Sequence, residues 1–165
     1  MNRLKAFLAL GALALLSAGG YGAASAQSAP QPITVEPVTP RATFIDNVHL
    51  QVRVKAPGDN TQVRNVADPS RVVTAKVTVQ PGARFPWHVH PGPVLVTVTD
   101  GDLIYVDGDD CSERLYASGT AFFDLGNHVH SAFNPGTTAM VFYATWFDVS
   151  ADGPLTIPVE APPCA

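Results

Sequence analysis

No stretch of this 165-residue sequence sustains a helical period, and it has no internal repeats, no charge runs and no amphipathic helix. Helical bundles, coiled coils and repeat arrays are thereby excluded. It also lacks a Gly-x-Ser-x-Gly elbow, a glycine-rich phosphate cradle and a pair of carboxylates at catalytic spacing. The chemistries that depend on those motifs are not expected. Basic residues are scarce, ten Lys and Arg against 14 Asp and Glu, for a formal charge of −4. An acidic surface repels phosphate backbones, so nucleic acid is not an expected partner.

Apart from its beginning, the chain has no long apolar run. Arg3 and Lys5 precede the apolar segment Ala6–Ala18, and Ala24-Ser25-Ala26 offers small residues for cleavage. The run is too short and too rich in small residues for a membrane span. Residues 1–26 therefore read as an export signal that is removed, with the protein secreted or periplasmic. No cysteine follows the run to carry a lipid, so no membrane anchor is expected after cleavage. Loss of Arg3 and Lys5 makes the remaining chain more acidic still.

Cysteine is nearly absent, but the two present, Cys111 and Cys164, both lie beyond the signal. An even count in an exported protein points to a disulfide. It would close a loop of about fifty residues, worth roughly 4 kcal/mol in the chain-entropy model. The rival roles, metal ligand or nucleophile, lack support: neither cysteine has a histidine or second cysteine at ligand spacing.

What the chain does contain is strands. Gln27–Pro40 carries four prolines in fourteen residues and reads as a linker or an extended arm, since proline disfavours helix and sheet interior. Then come Val48–Val54, Arg71–Val79, Val94–Thr99, Asp102–Val106, Thr120–Asp124, His128–Phe133, Thr138–Phe147 and Leu155–Val159. They are β-branched or alternating segments broken by Gly, Asn and Pro. Asp100-Gly101 reads as a short hairpin turn, and Pro158 places the last strand on an edge. The pattern predicts an all-β domain, a sandwich or a closed barrel, over residues 41–160, with 161–165 as a tail.

Four of the five histidines form two His-x-His pairs, His88/His90 and His128/His130. Alternation puts both members of a pair on one face of a strand. Two such strands can be neighbours in a small antiparallel barrel, and imidazole is the commonest ligand for zinc, iron, copper and nickel.

The spacings around these pairs resemble the two motifs of the cupin superfamily. Gly82, five residues, His88-Val89-His90, three residues, Val94, six residues and Gly101 reproduce the first motif, with Val94 where that motif has Glu. Gly119, five residues, Leu125, Asn127, His130 and Asn134 reproduce the second, with Leu125 for the usual Pro and Asn127 for the usual Gly. The resemblance runs from about Val72 to Phe147. It implies a double-stranded β-helix, or jelly-roll barrel, as a single domain. Carried over residue by residue, it makes His88, His90 and His130 the ligands of a divalent metal ion: iron, zinc, manganese, nickel or copper. Three histidines without the Glu is a variation that some thiol dioxygenases and related oxygenases use.

Several assignments stay open. His128 shares the parity of His130: it could be a fourth ligand, a group behind the ligands, a proton shuttle, or a turn residue facing water. As acid–base groups the sequence offers His128, Tyr143 and Asp124, none placed by spacing. His49 has no motif around it. The aspartates at 100, 102, 107, 109 and 110 lack calcium-loop spacing and read as solvated hairpin tips. Phe122, Phe123, Phe142, Tyr143, Trp146 and Phe147 read as core before pocket. Three functions follow: a metal-dependent oxygenase acting on a small organic substrate, a non-catalytic metal- or small-molecule-binding module, and a barrel serving oligomer contacts. Cupins often dimerise through their outer strands, so the resemblance also allows a homodimer.

Overall fold

The computed structural model describes residues 31–55, 60–67 and 69–165. The export signal expected over 1–26 lies outside these residues, as does the start of the arm.

Among the described residues twelve strands form: β1 (Ile33–Pro37), β2 (His49–Val54), β3 (Gln62–Ala67), β4 (Val72–Val79), β5 (His88–Val89), β6 (Val94–Asp100), β7 (Asp102–Asp107), β8 (Glu113–Ala117), β9 (Ala121–Asp124), β10 (His130–Phe133), β11 (Met140–Phe147) and β12 (Ile157–Pro158). One five-stranded sheet has the order β1-β4-β11-β6-β9 and the other β12-β5-β10-β7-β8; β2 and β3 pair as a separate two-stranded sheet. All the pairings are antiparallel. The alternating side chains of β4 and β11 show why the sheets close on one another. Val73, Ala75, Val77 and Val79 face inward from β4, and Met140, Phe142, Ala144 and Trp146 from β11, all buried. They meet Leu103, Tyr105 and Ala132 of the opposite sheet in one core. This is the double-stranded β-helix expected from the motifs.

Of the two readings of the proline-rich segment, the described residues form the extended arm: β1 pairs with β4 from Ile33↔Val79 to Pro37↔Ala75. Its proline lies at the last position of an edge strand, where a missing N–H is tolerated. Two local expectations are corrected. Asp100-Gly101 is not a hairpin turn: β6 and β7 belong to different sheets, and Gly101, with φ 71°, turns the corner between them. The strand expected from His128 starts at His130 instead.

Candidate metal centre

Three histidines converge between the sheets. His88 on β5 is the register partner of His130 on β10, and His90 follows on the same face as His88. All three are buried. Ring centroids lie 4.2 Å apart for His88–His130, 4.9 Å for His88–His90 and 5.0 Å for His90–His130. One nitrogen from each ring lies within 4.8 Å of the others.

Each ring is held through Nδ1. His88 Nδ1 is 2.7 Å from Pro86 O, His90 Nδ1 2.7 Å from Leu155 O, and His130 Nδ1 3.0 Å from His128 O. A carbonyl only accepts, so Nδ1 carries the proton and donates it, leaving a lone pair on Nε2. For the same reason the Trp146 indole N–H, 3.3 Å from His90 Nδ1, is a packing neighbour and not a donor to that atom. Burial, reinforced by the nearby His130, holds the His88 pKa down to about 4, and burial also lowers that of His90. His88 and His90 are thus neutral imidazoles with free Nε2 atoms, the state a metal ligand requires. The donor set fits a divalent ion of borderline hardness.

The loop between β9 and β10 docks on the loop after β5 and so brings His130 to His90. Asn127 N–H donates to His90 O at 2.8 Å. Gly126, with φ 77°, passes so close that a Cβ there would stand 2.6 Å from Gly92 O. Asn127 itself has φ 55°. That left-handed conformation explains the motif's usual glycine, and Asn tolerates it better than most residues. Asn134 is buried, and its amide donates to Val79 O and Thr138 O at 2.9 and 2.8 Å while its Oδ1 accepts from Gly136 N. Its part is to clamp the turn after β10.

The histidines open onto a chamber of about 90 Å³, walled by Phe85, Val94, Val96, Leu103, Phe122 and Phe142 among others. Phe142 and Trp146 are thus both core and chamber wall. Asp124 and Tyr105 also line it. Asp124 Oδ2 is 3.2 Å from His130 Nδ1 and 3.2 Å from the Tyr105 hydroxyl, and Oδ1 accepts from Gly126 N at 2.7 Å. Tyr105 stacks on His130 at 4.9 Å and 13°. Burial first, then the charge of Asp124, raises the Tyr105 pKa far above the usual phenol range. On the other side of Tyr105, Phe122 and Asp124 lies a broader groove of about 790 Å³, bordered by Arg53, Lys55, Arg114, Tyr116 and Phe123.

Other sequence candidates fall elsewhere. His128 precedes β10 and is half-buried, with Nε2 3.1 Å from Asp107 Oδ1, and it borders the groove and not the chamber. It serves the site through its carbonyl oxygen, which accepts from His130. Tyr143 is exposed on the outer face of β11 and does not reach the histidines. Phe123 and Phe147 pack on each other away from the chamber. His49 is exposed. Asp107, Asp109 and His128 bring ligand atoms within 4.8 Å at the surface, but Asp107 Oδ1 already accepts from Asp109 N at 2.9 Å. The expected disulfide joins Cys111 to Cys164.

Sequence reasoning missed the positioning carbonyl of Leu155, which no side-chain pattern announces. It named Asp124 but could not place it. Strand parity carried that signal, since Asp124 pairs with Val94 in register.

No curated protein matches the sequence. An oxalate oxidase structure is similar at 25% identity and TM-score 0.46, over 53% of this chain and 46% of that one. A cupin-like protein from Thermotoga maritima is similar at 26% identity and TM-score 0.48, over 55% and 65%. A polyketide cyclase from Streptomyces resistomycificus is similar at 16% and 0.48, over 81% and 86%. The chain thus spans less than half of the oxalate oxidase. The family model described as "Cupin domain" matches residues 75–147, the segment that holds both motifs and all three buried histidines, and that segment is a cupin domain.

Proposed function

We propose that this protein is an exported cupin that binds one divalent metal ion through His88, His90 and His130 and acts as an oxygenase on a small organic substrate. One observation carries the reading: three buried imidazoles share a chamber, each held through Nδ1 by a backbone carbonyl so that Nε2 is left free. A divalent ion held there supplies Lewis-acid polarisation and, if redox-active, electrons. Three protein ligands leave a coordination position open. The chain's own part is to keep that position dry and narrow. Val94, Val96, Leu103 and Phe142 exclude water, and about 90 Å³ admits only a small molecule or one end of a larger one. The Cys111–Cys164 disulfide supports an oxidising, extracytoplasmic compartment. Pairing of two copies through outer strands is supported by the edge at β1, where Val35 is 50% and Val38 58% exposed.

A non-catalytic binding module is the second reading. It is favoured by the bonding of Tyr105 and Asp124 to one another, since they are the only titratable groups besides the histidines among the described residues lining the chamber.

The test is metal analysis of protein purified from its native host without a metal-affinity resin, followed by oxygen consumption with candidate substrates. About one metal per chain is expected, lost in His88→Ala and in His130→Ala. A metal-free wild type that cannot be loaded sinks both readings; a loaded protein that never consumes oxygen leaves the module.

A further inference from the structure

Val94 and Asp124 are register partners on neighbouring strands β6 and β9. Both line the chamber and both are buried, 1% and 4% exposed. The motif position that lacks its carboxylate therefore faces a carboxylate one strand away. Asp124 is not a member of the ligand cluster. Its Oδ2 lies behind His130, 3.2 Å from Nδ1, on the side of the ring away from Nε2. Gly126 N–H and Tyr105 O–H both donate to it, and the His130 Nδ1–H, directed at His128 O, lies 3.2 Å from Oδ2, surroundings that suit a carboxylate.

A turn residue would need only the bond from Gly126 and could stay in water. Here the second oxygen is buried, which costs several kcal/mol unless a positive charge answers it. On the chamber side, among the described residues, there is no lysine and no arginine; Arg53, Lys55 and Arg114 border the groove on the other side of Asp124. The site described above places a cation within reach, on the far nitrogen of the same imidazole.

We propose that Asp124 is a positioning residue that takes over the role of the missing glutamate. It acts on the metal through the His130 ring and not by direct ligation. It reinforces the His130 tautomer that the His128 carbonyl sets, with Nε2 free, makes that nitrogen a stronger donor, and sets one negative charge beside the dipositive ion. A carboxylate behind a metal-bound histidine works in this way generally. The inference rests on the reading that the three histidines hold a divalent ion. It explains how Val94 can be apolar without leaving the site uncompensated.

The experiment measures zinc and cobalt(II) affinity of the disulfide-intact chain by competition with a chromogenic chelator, with thermal melts alongside. Asp124→Asn keeps the shape and removes the charge. It is expected to weaken binding roughly 10- to 100-fold, with cooperative melting retained and the cobalt(II) absorption bands moved. Adding Val94→Glu to that variant is expected to restore most of the affinity, because a direct carboxylate then replaces the indirect one. Wild-type affinity and an unchanged cobalt spectrum in Asp124→Asn would overturn the inference. If Asp124→Asn does not fold, Val94→Glu alone decides. With the charge already supplied, it gains less than about tenfold; a larger gain shows that no carboxylate was acting and overturns the proposal. A wild type that binds neither metal fails at the first arm, which marks failure of the metal reading itself.

Discussion

His88 is the residue whose environment has the clearest consequence in solution. Its pKa falls from 6.5 to about 4, chiefly because burial strips water from the imidazolium. Between those values the unfolded chain takes up a proton that the folded chain refuses, so stability rises with pH there and is lost on acidification. We predict that metal-free protein loses stability as pH falls from about 6.5 towards 4, by on the order of 3 kcal/mol from this group. His88→Phe should flatten that slope in urea titrations at several pH values. An unchanged slope would show that His88 is not the group responsible. At this scale the sequence was legible where spacing is rigid. His-x-His and the interval to His130 named three residues that the fold brings together. It was not legible where a side chain's direction depends on where a strand begins. His128 shares the parity of His130, but β10 starts two residues later and His128 turns to Asp107. Tyr143 lies next to the inward-facing Phe142 in sequence, so alternation sends it outward.

The decisive element is the loop from Leu125 to Val129. It carries no regular structure, yet it delivers His130 to His90 and supplies the carbonyl that orients it. Its conformation needs positive φ at Gly126 and Asn127, 77° and 55°. Asn127 is only half suited to that, which sets up a graded prediction. Asn127→Gly should leave the melting temperature unchanged or slightly raised. Asn127→Val, β-branched in the left-handed region, should cost on the order of 1–3 kcal/mol and weaken metal binding in parallel. Equal melting curves for the two variants would refute the strain argument. Strand existence was readable from alternation in β4, β6 and β11, where one face is buried and the other is not. It failed for β3 and β8, which are rich in polar residues and make an edge or a separate pair, so the burial that leaves a periodic trace is weak. It failed for β1 because proline content outweighed a β-branched run of three residues, Ile33, Thr34 and Val35.

For the whole molecule, the C-terminal segment acts as a strap across the histidine triad. Leu155 O receives the His90 Nδ1 proton, β12 pairs with β5 at Ile157↔Val89 and Pro158↔His88, and Val159 N–H donates to Trp87 O at 3.0 Å. The strap ends at Cys164, bonded to Cys111 across a separation of 53 residues. Cys111 sits just after β7, whose Asp107 bonds His128, whose carbonyl in turn holds His130. One covalent link therefore ties down both flanks of the histidine triad. Two bonded residues in β12 could not hold the strap alone, so its persistence depends on that link. Loop closure is worth about 4 kcal/mol in the chain-entropy model, or roughly 10 °C in melting temperature for a domain of this size. Reduction by dithiothreitol, or Cys111→Ser with Cys164→Ser, should lower the melting temperature by about that much. Metal affinity should fall with it, because His90 loses the acceptor that fixes its tautomer. The two readouts separate two roles for the bond. A lower melting temperature with unchanged affinity would make the disulfide a global staple only. A loss of both would show that the strap, and through it the redox state of the compartment, governs whether the triad is assembled.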